Sequence, residues 1–454
     1  MMNTPSSTSR LVGVLGLGRS GLAAVRFLVA HGIAVIAWDQ GKVPLEGVET
    51  LPGVEVWDGP FPAERLLRCE SVLLSPGIPR THPGILQLLS RGLPVINDCE
   101  WLYRTAQYQE TPPQFVAITG TNGKSTVTTL VGEMLGAAGQ NTQTGGNLGQ
   151  AALSLWHDDT RIYVLELSSF QLESMPQFRA ESAALLNISP DHMDRYRSLD
   201  HYLEAKLAVF HNQQPGDVAV VNADDPGLWP KVSGVIPPGV SIVGFSIEKP
   251  VVGGVYVQDG VLVDHRGDEG RPIMETARIR IRGRHNLANA TAAAALALGR
   301  GADAETVAKV LENFPGLPHR MQWVRSVNGV SFFNDSKGTN VGAVVESLAS
   351  FDRPLVLIAG GRAKKTDFSA LTQAASQRLR ASVLIGEAAN DLEGVLKGVA
   401  PVVRADSMKD AVAKSLALAQ PGDVVLLSPA CASFDMFKNF EDRGVQFSEA
   451  VHAL

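Results

Sequence analysis

Cysteine is scarce in this 454-residue chain. Cys69, Cys99 and Cys431 are an odd number, far apart and without a C-x-x-C pair, so neither a disulfide framework nor a thiolate zinc site underlies the fold. A reducing compartment follows, and the cytoplasm is the expected location. A basic surplus is also missing. The formal net charge of −6 argues against a general binder of nucleic acid or anionic membrane, because both need a positive face. Long apolar runs are absent too: none approaches the roughly 20 residues that span a bilayer. The run after the polar first ten residues is broken by Gly13, Gly16 and Gly18, so no signal peptide is expected. There is no internal repeat or low-complexity tract. What is present, 45% hydrophobic and 19% charged residues, is the composition of folded domains that bury their cores unaided.

At roughly 150 residues per domain the length suggests about three. Apolar β-rich runs alternate with helix-like stretches, the pattern of α/β domains with mainly parallel sheets. The first module, residues 1–97, is Rossmann-like, with strands at Leu11 to Leu15, Ile33 to Trp38, Ser71 to Leu74 and Val95-Ile96. The second, 98–316, begins near the Pro112-Pro113 breaker. It carries strands at Phe115 to Thr119, Tyr163 to Leu167 and Ala183 to Ile188, an antiparallel flap near 240–283, and a helix from Asn286 to Leu298. The third, 317–454, is again Rossmann-like and opens with a hairpin around Asn328-Gly329, a favoured tight turn. Strands at Leu355 to Ala359, Val383 to Ile385 and Val424 to Leu427 follow.

Two glycine-rich loops carry the first chemical signal. Gly16-Leu-Gly18-Arg-Ser-Gly21 follows a strand and precedes a helix, with Asp39 at the end of the next strand. This is the dinucleotide fingerprint, in which glycines let backbone amides approach a diphosphate at a helix N-terminus; a bare tight turn is the alternative. Gly120-Thr121-Asn122-Gly123-Lys124-Ser125-Thr126 sits between an apolar strand and what reads as an amphipathic helix. Ile118 replaces the first glycine of a strict P-loop, leaving the shorter form G-x-x-G-K-[ST]. In such a loop the amides cradle phosphate oxygens, the lysine reaches the terminal phosphates and the hydroxyl reaches Mg²⁺. A glycine turn with a solvated lysine would require strand, glycines, lysine and hydroxyl to coincide by chance.

Other candidates end apolar strands. Glu166 closes Tyr163 to Leu167, where a buried carboxylate is costly unless paired. Asp191-His192-Met-Asp194 offers hard oxygen and imidazole donors. Lys206 falls on the apolar face formed by Leu203, Leu207 and Phe210, so it either snorkels outward or faces a site. In the third module Asp335, Lys337 and Thr339 follow the hairpin. Arg320, Lys364 and Ser433 also lie at apparent strand ends, the edge at which open α/β sheets bind ligands. Several cations there, in an acidic chain, suggest a site for anions.

Together these segments resemble the Mur ligase family along essentially the whole chain. Family-wide marks are 120–126, His285-Asn286 with Asn289-Ala290, and Leu317-Pro-His-Arg320. Leu165 to Gln171, Asp191 to Tyr196, Asn334 to Lys337 and Ser428 to Glu441 are similar to the member that adds D-glutamate. The resemblance implies ATP and two Mg²⁺ ions, with UDP-N-acetylmuramoyl-L-alanine and D-glutamate as partners, in synthesis of a cell-wall precursor by a monomer. It implies that Arg19, Ser20, Asp39, Gln40, Ser75, Pro76 and Gly77 meet the uridine and diphosphate, and that Asn147 and His192 meet the muramoyl-alanine part. Residues 120–126 would hold phosphates, and Asn286, Asn289, Arg320 and Asp335 would contact adenine, ribose or phosphate. Ser125, Glu166, His192 and a carbamylated Lys206 would serve Mg²⁺, making Lys124, Glu166, His192 and Lys206 the catalytic set. Lys337, Thr339, Lys364, Ser433 and Phe440 would hold D-glutamate.

The implied chemistry passes through an acyl phosphate, and a hinge closure is expected to carry Lys337 and Lys364 over the phosphate loop. Three alternatives stay open: a nicotinamide dehydrogenase using the first loop, a non-catalytic nucleotide sensor, and a sibling ligase adding L-alanine or a diamino acid.

Overall fold

The structure, a computed structural model, describes residues 10–41, 43–147, 149–363, 366–376 and 378–454. Three sheets follow one another along the chain. The first contains β1 (Leu11–Leu15), β2 (Ala34–Trp38), β3 (Val54–Val56), β4 (Ser71–Leu74) and β5 (Val95–Ile96), all parallel in the order β3-β2-β1-β4-β5. The apolar run of β1 is buried because both faces of a parallel sheet are covered. Order reverses at β1, and the helix Arg19–Ala30 starts there through a turn only glycines allow. Gly16 has φ +86°, and a Cβ on Gly21 would stand 1.8 Å from the Gly16 carbonyl oxygen.

The second sheet contains β6 (Gln114–Thr119), β7 (Thr142–Gly146), β8 (Ile162–Glu166), β9 (Ser182–Leu185), β10 (Val218–Asn222), β11 (Ser241–Ser246), β12 (Val255–Gln258), β13 (Val261–Asp264) and β14 (Arg271–Glu275). Its order is β14-β13-β12-β11-β10-β9-β6-β8-β7. The expected flap is antiparallel only from β12 to β14, since β11 pairs parallel with both β10 and β12. The helix Lys124–Ala137, expected to be amphipathic, instead buries Thr126 and Thr128 as well as its leucines and valines. It is packed beside the helix Arg284–Gly299, whose buried run Ala292–Ala295 presents little side-chain bulk. A strand as polar as β7, Thr-Gln-Thr-Gly-Gly, carries no apolar signature and is found only in the structure.

The third sheet contains β15 (Gln322–Val327), β16 (Val330–Asn334), β17 (Leu355–Gly360), β18 (Leu379–Ile385), β19 (Val402–Arg404) and β20 (Val424–Leu427), in the order β15-β16-β20-β17-β18-β19. The hairpin forms as expected, with φ of 52° at Asn328 and 80° at Gly329, both positive as a type I′ turn requires.

The cores divide unequally. One apolar cluster runs without a break from Val12 and Leu28 through Trp101 and Leu102 to Phe115 and Leu165, joining the first two sheets. The third sheet has clusters of its own on its two faces. Polar contacts connect it to the second sheet: Arg320 donates to Ser125 Oγ at 2.8 Å, Asn340 to Asn122 at 3.1 Å, and Ser350 meets His285 at 3.3 Å.

Candidate active site

The phosphate loop leaves the C-terminal end of β6 at the point where sheet order reverses between β9 and β8. Gly120 (φ +150°) and Gly123 (φ +84°) make the turn, and a Cβ on Gly123 would lie 2.2 Å from Asn289 Oδ1. The segment after β9 pins the loop. Asn122 N donates to Asn187 Oδ1 at 2.9 Å, Asn187 Nδ2 donates to Asn122 O at 3.0 Å, and Thr121 Oγ1 accepts from Ser189 N at 3.0 Å. Lys124 opens the helix and curls over the loop, its Nζ donating to Gly120 O at 2.9 Å and Thr121 O at 2.8 Å. Backbone amides and a cation thus converge at a helix N-terminus, the arrangement that binds phosphate.

Glu166, at the end of the neighbouring β8, is buried beside this loop. Asn147 Nδ2 donates to its Oε1 at 2.6 Å, while Oε2 has no hydrogen-bond partner. Burial alone would raise its pKa. The ammonium of Lys124, the hydrogen bond from Asn147, the adjacent Ser125 hydroxyl and the Arg320 guanidinium outweigh it and hold the carboxyl below its ordinary value. An ionised carboxylate with one bare oxygen beside the Ser125 hydroxyl fits the Mg²⁺ that the resemblance implies. Among the described residues no group of three or more His, Cys, Asp or Glu gathers at one point. That also fits Mg²⁺, which takes one or two carboxylates and completes its shell with phosphate and water. Asp191 and His192 line the cleft, whereas Asp194 is exposed.

Lys206 faces inward. It is 1% exposed, its Nζ donates to Gly120 O at 2.8 Å, and it lies 4.5 Å from the centre of the Tyr202 ring. Burial, reinforced by the charge of Lys124, drives its pKa well below the usual lysine value.

From the third sheet come Arg320, Asp335, Lys337, Thr339 and Asn340, which line the same cleft of about 540 Å³ as the phosphate loop, Asn147, Glu166, His192, Asn286 and Asn289. Asp335 is buried, accepting from Ser347 Oγ and Ser428 Oγ at 2.8 Å each, and burial raises its pKa to about 6. Lys337 sits 3.7 Å from the Phe440 ring centre; burial, with Arg320 adding repulsion, lowers its pKa to about 8. Ser433 and Phe440 are outside the lining of this cleft, Ser433 on a buried turn and Phe440 against Lys337. Lys364 lies outside the described residues.

The residues assigned to the uridine diphosphate form a separate edge. Arg19 is exposed and Ser20 half-buried at the start of the helix Arg19–Ala30, which has no side-chain cap; Gln40 and Gly77 are exposed nearby. Asp39 braces the loop, its two oxygens accepting from Leu17 N at 2.6 Å and Gly41 N at 2.8 Å. Ser75 Oγ ties back to Gly16 O at 2.7 Å. Pro76 links this edge to the cleft: its carbonyl accepts from Arg195 at 3.3 Å, Arg195 stacks 3.8 Å over Phe170, and Phe170 meets the His192 ring at 4.8 Å.

Sequence reasoning passed over several lining residues. Asn222, Asp224 and Phe245 stand at or just beyond the C-terminal ends of β10 and β11. The strand-end rule applied elsewhere would have found them had β10 been recognised. Asn187 follows β9 and Asn340 closes the stretch Asn334 to Asn340 after β16, so both carry the strand-end signal, but the contacts they make depend on which loops meet.

Comparison with known proteins agrees with this geometry. Three family models match in chain order: a Mur ligase MurD-like N-terminal domain over residues 10–97, a Mur ligase middle domain over 118–297, and a Mur ligase glutamate ligase domain over 319–431. The UDP-N-acetylmuramoylalanine–D-glutamate ligase of Nitrosococcus oceani is 42% identical, covering 97% of this chain and 96% of its own. The enzyme of the same name from Methylococcus capsulatus is 43% identical, covering 98% and 95%. Among solved structures, the MurF ligase from Thermotoga maritima in complex with ADP shares the fold with a TM-score of 0.60, at 15% identity and 98% coverage of both chains. The family models together span most of the chain and the named relatives match it over nearly their full length, so the chain belongs to the Mur ligase family.

Proposed function

We propose that this chain is an ATP-dependent ligase that joins D-glutamate to UDP-N-acetylmuramoyl-L-alanine through an acyl phosphate, in the cytoplasmic synthesis of a peptidoglycan precursor. The relatives that share more than 95% of their length with it are named for that reaction. The observation that carries the reading is a single cleft holding the phosphate loop, the bare Glu166 oxygen and the third-sheet cations Arg320 and Lys337.

The first half-reaction brings two anions together. The alanyl carboxylate attacks the γ-phosphorus of ATP in line, and ADP leaves. Lys124, Arg320 and the loop amides neutralise charge that builds on the transferring oxygens, where fixed cations contribute most. Mg²⁺ bound at Ser125 and Glu166, and a second ion toward His192 and Lys206, would supply the remaining positive charge. Lys206 suits carbamylation, because burial favours the uncharged form of its amine, the form nucleophilic towards CO₂, and reaction would give a carboxylate beside the loop. In the second half-reaction the D-glutamate amine attacks the acyl carbon and phosphate departs. Lys337 holds a glutamate carboxylate, with Thr339, Ser433, Phe440 and Lys364 completing that subsite. The UDP is held at Gly16 to Gly21 and Ser75 to Gly77, so that the muramoyl-alanine arm passes Arg195 and Asn147 on its way to the phosphate loop. Closure of the third sheet on the second keeps water from the acyl phosphate.

The test is which amino acid supports ADP formation. D-Glutamate, with the UDP substrate also required, is expected. Absence of ADP release with both substrates present would indicate a non-catalytic nucleotide sensor, and preference for L-alanine or a diamino acid a sibling ligase.

A further inference from the structure

Asn340 stands where three parts of the cleft meet. It is the N-cap of the helix Val341–Ala349, and its Oδ1 accepts from Ala343 N at 2.8 Å. That bond orients the carboxamide, since only its oxygen can accept an amide proton. Nδ2 is then turned to the second sheet, where it donates to Asn122 Oδ1 at 3.1 Å and to Asp191 Oδ2 at 3.3 Å. A carboxylate is an acceptor, so both ends of Asn340 demand the same orientation. Asn122 is held from behind through its backbone by Asn187. A string of hydrogen bonds therefore runs from the segment after β9, through the phosphate loop, into the helix that begins just after Lys337 to Thr339. The cap alone does not need asparagine, because Ser and Asp cap as well. The second arm is what crosses between sheets.

We propose that Asn340 is a positioning residue that couples the two half-reactions, fixing the segment Lys337 to Thr339 over the phosphate loop so that the acyl phosphate meets the amine before water. The inference rests on the ligase reading and deepens it. In the productive step the amine lone pair attacks the acyl carbon, the carbon–oxygen bond to phosphate breaks, the amine loses a proton and phosphate leaves. In the competing leak water takes the place of the amine and the carboxylate is regenerated, so the net change is ATP and water to ADP, phosphate and a proton.

The test uses the full-length protein with its natural substrates. Asn340→Ser keeps the cap and removes the arm; Asn340→Asp keeps the cap and sets a carboxylate against Asp191. ADP and amide product are measured side by side, together with the KM of each substrate and the melting temperature. Wild type should form one ADP per amide bond. Both variants should release ADP in excess of amide, the Asp variant more so. The KM for D-glutamate should rise about tenfold, equivalent to about 1.4 kcal/mol. The KM for ATP in the Ser variant should stay within about twofold, which separates lost positioning from lost nucleotide binding. Tight coupling with unchanged KM for D-glutamate in both variants would overturn the proposal. So would a lowered melting temperature with all three KM values rising together, which would mark a purely structural role. A wild type that makes no D-glutamate product would instead defeat the ligase reading.

Discussion

Replacing Lys337 by methionine should make the protein more stable at neutral pH while removing its use of the amino acid. The Lys337 ammonium is mostly buried, and its pKa falls from 10.5 to about 8, chiefly through burial and then through repulsion from Arg320. At about 1.4 kcal/mol per pH unit, that depression means the charged side chain disfavours the folded state by about 3 kcal/mol. The sign follows from linkage. At pH 7 the folded and unfolded chains both carry the proton, and folding bears the full cost. Between about 8 and 10.5 the folded lysine gives up its proton first and the cost fades; above 10.5 it is gone. Methionine keeps the length of the stem and places a thioether against the Phe440 ring. The lost cation–π contact offsets about 1–2 kcal/mol, leaving a net gain of about 1–2 kcal/mol. Urea unfolding of both proteins at pH 7 and at high pH provides the assay. The variant's advantage should be full at pH 7 and shrink as the pH rises from about 8 to 10.5. A variant less stable than wild type at pH 7, or an advantage independent of pH, would refute the argument. Binding supplies a second readout: wild type should lose affinity for a dicarboxylate lacking an amine as the pH rises through about 8, and the variant should bind it weakly throughout.

Further outcomes follow from the phosphate loop. Gly123→Ala places a Cβ 2.2 Å from Asn289 Oδ1 at φ +84°; left-handed backbone alone costs about 1–2 kcal/mol, so thermal unfolding should shift downwards and calorimetry should show nucleotide affinity reduced at least about tenfold. Glu166→Gln removes the charge but keeps the shape, and should weaken the Mg²⁺ dependence of ADP formation and lower its rate by about two to three orders of magnitude; an unchanged Mg²⁺ titration would remove Glu166 from the metal site. Lys206→Ala should lose activity and regain part of it on addition of a small carboxylate such as acetate, and absence of rescue would count against a carbamate. Small-angle scattering should show compaction when all ligands are bound, if the third sheet closes on the second.

Much of the site was legible because its residues sit at punctuation marks of the chain. Gly120 to Thr126, Glu166 and Asp335 each follow an apolar strand, and a ligand edge at strand C-termini is a rule that needs no coordinates. Where the strand itself was polar or unrecognised, as with β7 and β10, the rule had nothing to act on, and Asn222, Asp224 and Phe245 were passed over. Asp39 adds something the fingerprint does not state: its oxygens brace the loop through Leu17 and Gly41.

By itself the sequence determined the chemistry: two glycine loops, a strand-end carboxylate, an inward lysine and a run of late cations are local patterns, dictated by backbone sterics and by side-chain periodicity of 2.0 and 3.6. Only the tertiary structure decided how those parts share one cleft. That Arg320 reaches Ser125 and Asn340 reaches Asn122 across some 195 and 218 residues depends on how one sheet docks on another. Such docking is set by the summed shape and polarity of two surfaces, and no single stretch of chain encodes it.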